Sequence, residues 1–353
     1  MPPTLSPSAR PWSQTFLPRR REFLLGAAAS GLAGAAARGG PAPQRRIDVH
    51  FHLLPPQYLA EAPPAGAVQK PFARSPETAL EDMDRNGVAT AMLSFPTPSY
   101  WFGDLQAGRR LARFCNDYFA ALVKQHPARF GLFAGLPPLG DTDGVLREID
   151  YAYDVLGADG VAVMTNYGGH YLGDDAFAPV WQALDRRGAV IFVHPADPPC
   201  CGAIADGVGV GYGEWPFDTA RTVMSLWVAD ALARWPNLRF IFSHGGGGLP
   251  MIADRIDKFG RPGSKGAPPV HDAWAFISKL YFDVANAAGP SALPAVRGMV
   301  PSQHILFGSD YPYVPLERGV AYLEKAGLGA EQLGAIDRDN ALALLPRLRG
   351  PRA

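Results

Sequence analysis

The residues of this sequence best suited to chemistry are histidines and one aspartate that follow short apolar segments. His50 and His52 end the first such segment, His194 ends a later one, and Asp310 follows the last. Imidazole nitrogens and carboxylate oxygens are ligands that divalent metals accept in proteins. In an apolar interior the same groups are costly unless they have partners. The set therefore indicates one divalent metal site, whereas a lone His-x-His pair would be much weaker evidence.

The spacing of the first two histidines supports this interpretation. Side chains at positions i and i+2 of a strand point to the same face, so His50 and His52 would point one way and Phe51 the other. His244 follows a further apolar segment and precedes four glycines, and we expect it beside the metal ligands. We interpret the remaining histidines as solvated or structural, with a pocket position for the first of them as the alternative: His170, His126, His271 and His304.

The elements that must position these residues alternate regularly along the chain. Eight short apolar segments, many of them rich in β-branched or aromatic residues, are predicted strands: 47–52, 90–95, 130–136, 160–164, 189–194, 239–243, 280–283 and 305–308. Segments with helical spacing lie between and after them: 75–86, 104–126, 143–156, 177–187, 219–235, 249–259, 292–299 and 337–345. This order predicts an α/β protein with a single-domain (β/α)₈ TIM barrel, because an open doubly wound sheet more often has fewer strands.

A TIM barrel explains why the candidate ligands are spread along the chain. Its catalytic residues come from the carboxyl ends of different strands, which meet at one face. His50, His52, His194, His244 and Asp310 would all lie at that face. Asp283 ends the seventh predicted strand and would stand next to them.

Composition and charge exclude several other classes of protein. Lys plus Arg and Asp plus Glu both number 33, so the formal net charge is zero and no basic surface predicts nucleic-acid binding. The 47% of hydrophobic residues is typical of a globular protein. The three cysteines, of which two are adjacent, predict neither a disulfide framework nor a thiolate zinc site: Cys115, Cys200 and Cys201.

The N-terminal segment has the features of an export signal. Arg20-Arg21 precedes Phe23-Leu24 and a mild apolar run that ends in Ala35-Ala36-Ala37. This pattern predicts a twin-arginine-type signal peptide over 1–37, a linker over 38–46 and the barrel over 47–348. The run is too short for a stable membrane span. We expect a periplasmic or extracellular protein, or a cytoplasmic one if the signal is not used; a buried Ala-rich helix is the structural alternative.

Several longer motifs resemble those of one enzyme superfamily. His50-x-His52, His194-Pro195, His244-Gly-Gly-Gly and 308–312 (GSDYP) resemble the amidohydrolase superfamily. Segments 125–137, 215–224 and 234–244 are similar to its branch of aminocarboxymuconate-semialdehyde and γ-resorcylate decarboxylases, and 160–169 looks like 6-methylsalicylate decarboxylases. The resemblance covers nearly all of the chain after Ile47.

The resemblance implies roles for the candidate residues. His50, His52, His194 and Asp310 would hold one divalent metal, with Zn²⁺ expected and Mn²⁺ as the alternative. Strand four has no lysine near Met164 that could bridge a second metal. The implied reaction is non-oxidative decarboxylation of a small aromatic, salicylate-type, or unsaturated carboxylic acid, with Asp310 or His244 as the proton donor.

Two other functions stay open on the sequence alone. A hydrolase of a lactone, ester or amide would use the same site, with His244 as the base. A metal-holding binding protein without catalysis would fit the export signal. The resemblance also implies a homodimer or homotetramer.

Candidate substrate contacts come from the predicted loops around the barrel mouth. Arg221 could pair with a carboxylate, and the aromatic residues could stack on a ring; the alternatives are a surface arginine and ordinary loop packing. The predicted contacts are Arg221, Trp215, Phe217, Asn166, Tyr167 and Trp101.

Overall fold

The computed structural model describes residues 45–61, 72–97, 99–100, 104–206, 208–263 and 267–350, all within one compact unit. The predicted signal segment and the predicted contact Trp101 lie outside these residues. The strands in the described residues are β1 (Arg46–His52), β2 (Val88–Ser94), β3 (Phe130–Gly135), β4 (Gly160–Met164), β5 (Asn166–Tyr167), β6 (His170–Tyr171), β7 (Val190–His194), β8 (Arg239–Phe242), β9 (Tyr281–Asp283) and β10 (Ile305–Leu306).

Eight of these strands form one parallel sheet that closes on itself. Their order is β1-β2-β3-β4-β7-β8-β9-β10, while β5 and β6 form a small antiparallel hairpin above β4. Backbone hydrogen bonds from Val49 N to Phe307 O (3.0 Å) and from Asp310 N to His50 O (2.9 Å) join the last strand to the first. The predicted (β/α)₈ barrel is therefore confirmed.

Helices cover the outside of the barrel. Their bounds are α1 (Pro56–Glu61), α2 (Pro76–Arg85), α3 (Leu105–Gln125), α4 (Thr142–Asp154), α5 (Ala178–Arg186), α6 (Glu214–Val228), α7 (Ala231–Arg234), α8 (Leu249–Phe259), α9 (Ala273–Ile277), α10 (Ala292–Met299), α11 (Leu316–Glu324), α12 (Ala330–Gly334) and α13 (Asn340–Leu344). No helix in the described ranges combines the length and apolar character needed to cross a membrane.

The core has two parts because barrel strands are buried on both faces. Between strands and helices lies the larger cluster, which includes Phe119, Trp181 and Phe240. Inside the barrel a smaller cluster includes Val49 and Phe192, and it extends to residues of α13, which covers the end of the barrel away from the histidines. These two layers leave the opposite end of the barrel available for the polar residues.

The eight predicted barrel strands are present, but one predicted helix had the wrong bounds and four described helices had not been predicted. The predicted helix 219–235 begins at Glu214, because Pro216 is tolerated in a first helical turn, where its missing N–H has no helical acceptor to lose. It ends at Val228 because Asp230 adopts a left-handed backbone (φ 54°), after which the short α7 follows. The helices that had not been predicted are α1, α9, α11 and α12.

Candidate metal centre and active site

The predicted chemical residues meet at the carboxyl end of the barrel. Ligand atoms of His50, His194, His244 and Asp310 all lie within 4.8 Å of one another. His52 joins this group, because its Nε2 is 3.6 Å from Asp310 Oδ1 and its ring centroid is 5.1 Å from that of His194. The structure thus brings together all four predicted ligands and the predicted neighbour His244.

A bulge in β1 directs the first histidine into the barrel. Ile47 and Val49 belong to the inner core, and strict alternation would continue this face with residue 51. The pairing of β1 with β2 shifts register between Asp48 and Phe51. As a result His50 packs against the inner-core residue Phe192, with ring centroids 5.0 Å apart. Such bulges commonly re-aim a side chain next to an active site.

Each of the three strand-end histidines has an acceptor for one ring nitrogen. His50 Nδ1 lies 2.9 Å from Asp283 Oδ2, and His194 Nδ1 lies 3.0 Å from its neighbouring carbonyl, Pro195 O. His52 Nδ1 lies 3.2 Å from Ser94 O. Because a carbonyl or carboxylate oxygen only accepts, Nδ1 carries the proton in each ring, and the lone pair is on Nε2. Outer-sphere partners of this kind fix metal-binding histidines in many proteins.

The opposite ring nitrogens are the atoms that need a ligand. Nε2 of His50 and Nε2 of His52 are buried and have no hydrogen-bond partner, which is unfavourable for a buried polar atom. His244 differs, since its Nε2 lies 3.3 Å from Asp310 Oδ2 and its side chain is 15% exposed. The other carboxylate oxygen, Asp310 Oδ1, lies 3.3 Å from His50 Nε2.

The donor atoms of this cluster suit a divalent cation. The unpartnered Nε2 atoms and the carboxylate oxygen among them are the kind of donors that a zinc or manganese ion uses. The tautomer of each strand-end histidine is fixed by its acceptor. His244 Nε2 already has a partner in Asp310. The residues present therefore fit a metal ion, and the assignment of His50, His52, His194 and Asp310 as its ligands stays a prediction.

The electrostatics of the cluster also favour a cation. Burial alone would lower the pKa of His50, but the carboxylates of Asp283 and Asp310 raise it to about 10. Burial and the neighbouring His50 lower the pKa of His52 to about 3. Burial and the surrounding histidines hold the pKa of His194 well below its usual value. The carboxylates on two sides of His50 thus favour a positive charge at this position, which a bound metal ion could supply in place of a proton.

The backbone around the site is held in uncommon conformations. His244, Asn286 and Asp310 have φ values of 55°, 54° and 65°, in the left-handed region that non-glycine residues rarely adopt. Gly247, in the turn after His244, has a φ of 61°, and a Cβ there would come within 2.3 Å of a backbone oxygen. Strain of this kind persists where the surrounding contacts fix a functional side chain.

Two polar residues complete the cluster from β9 and the loop after it. Asp283 is fully buried; besides His50 Nδ1, it accepts hydrogen bonds from the backbone N–H groups of His244 (3.0 Å) and Ala285 (2.9 Å). Asn286 donates from Nδ2 to Asp310 Oδ2 at 3.2 Å. Asp283 lies where the sequence predicts it, whereas Asn286 could not be predicted, since a polar loop residue outside any periodic segment carries no signal of its role.

The predicted substrate contacts are placed in different environments. Trp215 reaches the site, because its ring centroid lies 6.0 Å from that of His194, while its Nε1 donates to Asp197 Oδ1 at 2.7 Å. Phe217 is 56% exposed and packs near Gly248. Arg221 is exposed, and its Nη1 lies 3.4 Å from a cysteine sulfur rather than at the histidine cluster.

The remaining described contacts, Asn166 and Tyr167, line a cavity of about 180 Å³ at the same end of the barrel. Their own polar groups are engaged, since Asn166 Nδ2 donates to Asp218 Oδ2 (2.9 Å) and Tyr167 OH accepts from Met164 N (3.0 Å). The cavity adjoins the cluster, because Met164 pairs with His194 in the sheet. Its lining residues are Thr97, Ser99, Tyr100, Pro138, Met164, Asn166, Tyr167, Gly168, Ala196 and Asp197.

Comparisons with known proteins agree with this geometry. Residues 47–347 match the amidohydrolase family. The chain is 35% identical over 316 residues to the 6-methylsalicylic acid decarboxylase of Penicillium expansum, an alignment that covers 86% of this chain and 97% of that protein. It is similar in structure to an amidohydrolase II, with a TM-score of 0.76 and 30% identity over 85% of this chain and 99% of the other.

A second solved structure shares the fold at lower identity. It is the dihydroxybenzoic acid decarboxylase of Polaromonas sp. JS666, described with bound manganese and the inhibitor 2-nitroresorcinol. The TM-score is 0.76 and the identity 21%, over 86% of this chain and 98% of the other. This likeness shows the shared fold. The matched family and the Penicillium relative confirm the resemblance inferred from the sequence motifs: the chain belongs to the amidohydrolase family.

Proposed function

We propose that this protein is a metal-dependent decarboxylase of a small aromatic, salicylate-type carboxylic acid. The observation on which this rests is the pairing of His244 with Asp310 beside His50 and His52, whose buried Nε2 atoms make no hydrogen bond. The similarity to a 6-methylsalicylic acid decarboxylase supports the choice of reaction and of substrate class.

The residues divide into those that hold the metal and those that move a proton. His50, His52, His194 and Asp310 would hold one divalent ion, which supplies a Lewis acid for the negative charge that develops on the substrate oxygens. His244 lies at the open side of the cluster and shares Asp310 Oδ2 with Asn286. Because Asp310 Oδ2 accepts hydrogen bonds from both neighbours, we assign the mobile proton to His244.

The bond changes balance without any further reactant. A proton from His244 forms a C–H bond at the ring carbon that bears the carboxylate. The bond from this carbon to the carboxylate then breaks, its electron pair restores the aromatic ring, and CO₂ leaves. His244 is reprotonated from solvent, so the sum is a carboxylate and one proton giving the ring product and CO₂. A general acid of this kind must hold its proton near neutral pH.

The cavity next to the cluster is the proposed site for the aromatic ring. Its volume of about 180 Å³ suits one substituted ring, and Met164, Pro138 and Tyr100 give it apolar walls. Trp215 would close the side next to His194. Phe217 and Arg221, whose contacts lie elsewhere, are not included in this ring site.

For the metal we propose Zn²⁺, with Mn²⁺ as the alternative. Three imidazole nitrogens and a carboxylate suit zinc. Manganese is supported by the Polaromonas neighbour, which is described with that ion bound. Elemental analysis of the purified protein, followed by activity after reloading with each ion separately, distinguishes the two.

A turnover assay of the metal-loaded protein tests the proposed reaction. Salicylic, 6-methylsalicylic and 2,6-dihydroxybenzoic acids would be supplied, and CO₂ and the ring product measured directly. We expect CO₂ release that stops when a chelator removes the metal. Hydrolysis of a lactone, ester or amide panel without CO₂ release from any acid would instead establish the hydrolase alternative on the same site.

Two further proposals concern assembly and location. We propose a homodimer or homotetramer, as the family resemblance suggests, and light scattering of the purified protein gives the mass directly. We also propose export through the Arg20-Arg21 signal. Cell fractionation tests it: the wild-type protein should appear outside the cytoplasm, and a variant with both arginines changed to lysine should remain inside.

A further inference from the structure

Two adjacent cysteines lie in the segment that joins β7 to α6. Cys200 and Cys201 are both exposed, whereas Cys115 is completely buried in the core. Exposed thiols can react with soft electrophiles and ions, but a thiol inside an apolar core is inert. Burial also raises the pKa of Cys115, which keeps that thiol protonated. The chain therefore offers one reactive pair of sulfurs and one unreactive sulfur.

A permanent positive charge adjoins the first of the two sulfurs. Arg221 Nη1 lies 3.4 Å from Cys200 Sγ, and the same guanidinium sits 6.0 Å above the ring of Tyr171. Because a guanidinium stays charged at all ordinary pH values, it stabilises a thiolate next to it. This contact gives a role to Arg221, which the proposed active site does not use.

The thiol of Cys201 contacts that of Cys200. The thiol of Cys201 hydrogen-bonds to Cys200, and this contact is the main cause of the raised pKa of Cys201. Cys201 therefore keeps its proton while it faces the Cys200 sulfur. Two adjacent exposed sulfurs, one of them in contact with a guanidinium, can bond one soft centre twice.

We propose that Cys200, Cys201 and Arg221 form a dithiol site that binds soft, thiophilic ions, with trivalent arsenic as the ligand class. Cys200 would bond first and Cys201 second. With phenylarsine oxide as the probe, two As–S bonds form and the arsenic–oxygen bonds break. Both thiol protons leave with the oxygen as one molecule of water, so no oxidant is needed.

The dithiol site is separate from the metal centre, but it lies in the same loop as a residue that contacts the wall of that centre. Asp197 stands three positions before Cys200 and accepts the hydrogen bond from Trp215 Nε1. The number of groups bound at the dithiol can be measured directly, without a turnover assay.

The test uses the full, metal-loaded protein, reduced and then freed of reductant. We expect intact-mass spectrometry to show one phenylarsenic group per chain with the loss of one water. This adduct should survive an excess of a monothiol and be removed by 2,3-dimercaptopropanol, because only a dithiol competes with bonding to two sulfurs. The matched control C115S should still take up one group.

Variants at the dithiol site show which results would contradict the proposal. C200S and C201S should each lose the monothiol-resistant adduct, and R221M should slow alkylation of Cys200 by iodoacetamide by about threefold, since the positive charge next to the Cys200 sulfur is removed. Uptake that survives in the C200S/C201S double variant, an adduct that a monothiol removes, or an unchanged alkylation rate in R221M would each overturn the proposal.

Discussion

Asp310 uses its two carboxylate oxygens in different directions: Oδ1 lies 3.3 Å from His50 Nε2, and Oδ2 lies 3.3 Å from His244 Nε2. The first oxygen faces the histidines of β1, whose Nε2 atoms make no hydrogen bond in spite of this proximity. The second faces a histidine on the open side of the cluster. A single carboxylate thus connects the group that holds the metal with the group that moves the proton.

This division predicts different losses for His52→Ala and His244→Ala. The first variant should bind less than one equivalent of metal, because an Nε2 that points to the ion is removed. The second should keep its metal but turn over at least about 100-fold more slowly, since a general acid contributes roughly that factor. Elemental analysis after gel filtration, together with CO₂ release, measures both effects. A metal-free His244→Ala protein would instead make His244 a metal ligand.

Asp283 should control metal affinity although it does not face the metal. Its carboxylate accepts hydrogen bonds from His50 Nδ1 and from the backbone N–H of His244, so the amide of Asp283→Asn cannot satisfy both sides. We expect the affinity for the metal to fall by about 10- to 100-fold. Competition with a chromogenic chelator measures it, and Asp254→Asn, on the exposed face of α8, is the matched control. Equal affinities in the two variants would show that Asp283 has no such role.

Asn286 should act on the rate rather than on binding of the metal. Its amide donates to Asp310 Oδ2 at 3.2 Å, and its φ of 54° makes glycine the least strained replacement. Loss of a hydrogen bond to a charged group costs about 1.5 kcal/mol, so Asn286→Gly should lower kcat about tenfold. KM and metal content should stay near those of the wild type. A change in KM alone would place Asn286 in substrate binding instead.

The sequence predicted the barrel and the location of the site because both depend on repeated local patterns. Apolar segments that end in His or Asp mark the strand ends, and barrel topology then gathers those ends at one face. The bulge after Asp48 was not predictable, because register depends on pairing with β2 rather than on the sequence of β1 alone.

The details that were missed depend on tertiary contacts. Asn286 adopts its left-handed backbone next to Asp310, and its sequence neighbours show no turn motif that requires it. Trp215 and Phe217 were placed in a loop, but α6 begins before them and turns their rings to different surroundings. Trp215 contacts His194 and so belongs to the wall of the site, whereas Phe217 is exposed.

Stability should depend on an ion pair at the opposite end of the barrel. Arg46 is almost fully buried, and its Nε lies 3.0 Å from Asp337 Oδ1, whose side chain is completely buried; Arg45 lies equally close to Asp337 but is 44% exposed. Arg46→Met leaves the buried Asp337 carboxylate with only the half-exposed Arg45 as its partner, so the free energy of unfolding should fall by about 3 kcal/mol. Arg45→Met should lower it by less than about 1 kcal/mol, because water screens an exposed charge. Urea denaturation of both variants measures the difference, while CO₂ release per folded molecule should stay unchanged in each. Equal losses of stability would mean that burial of Arg46 does not strengthen its pairing with Asp337.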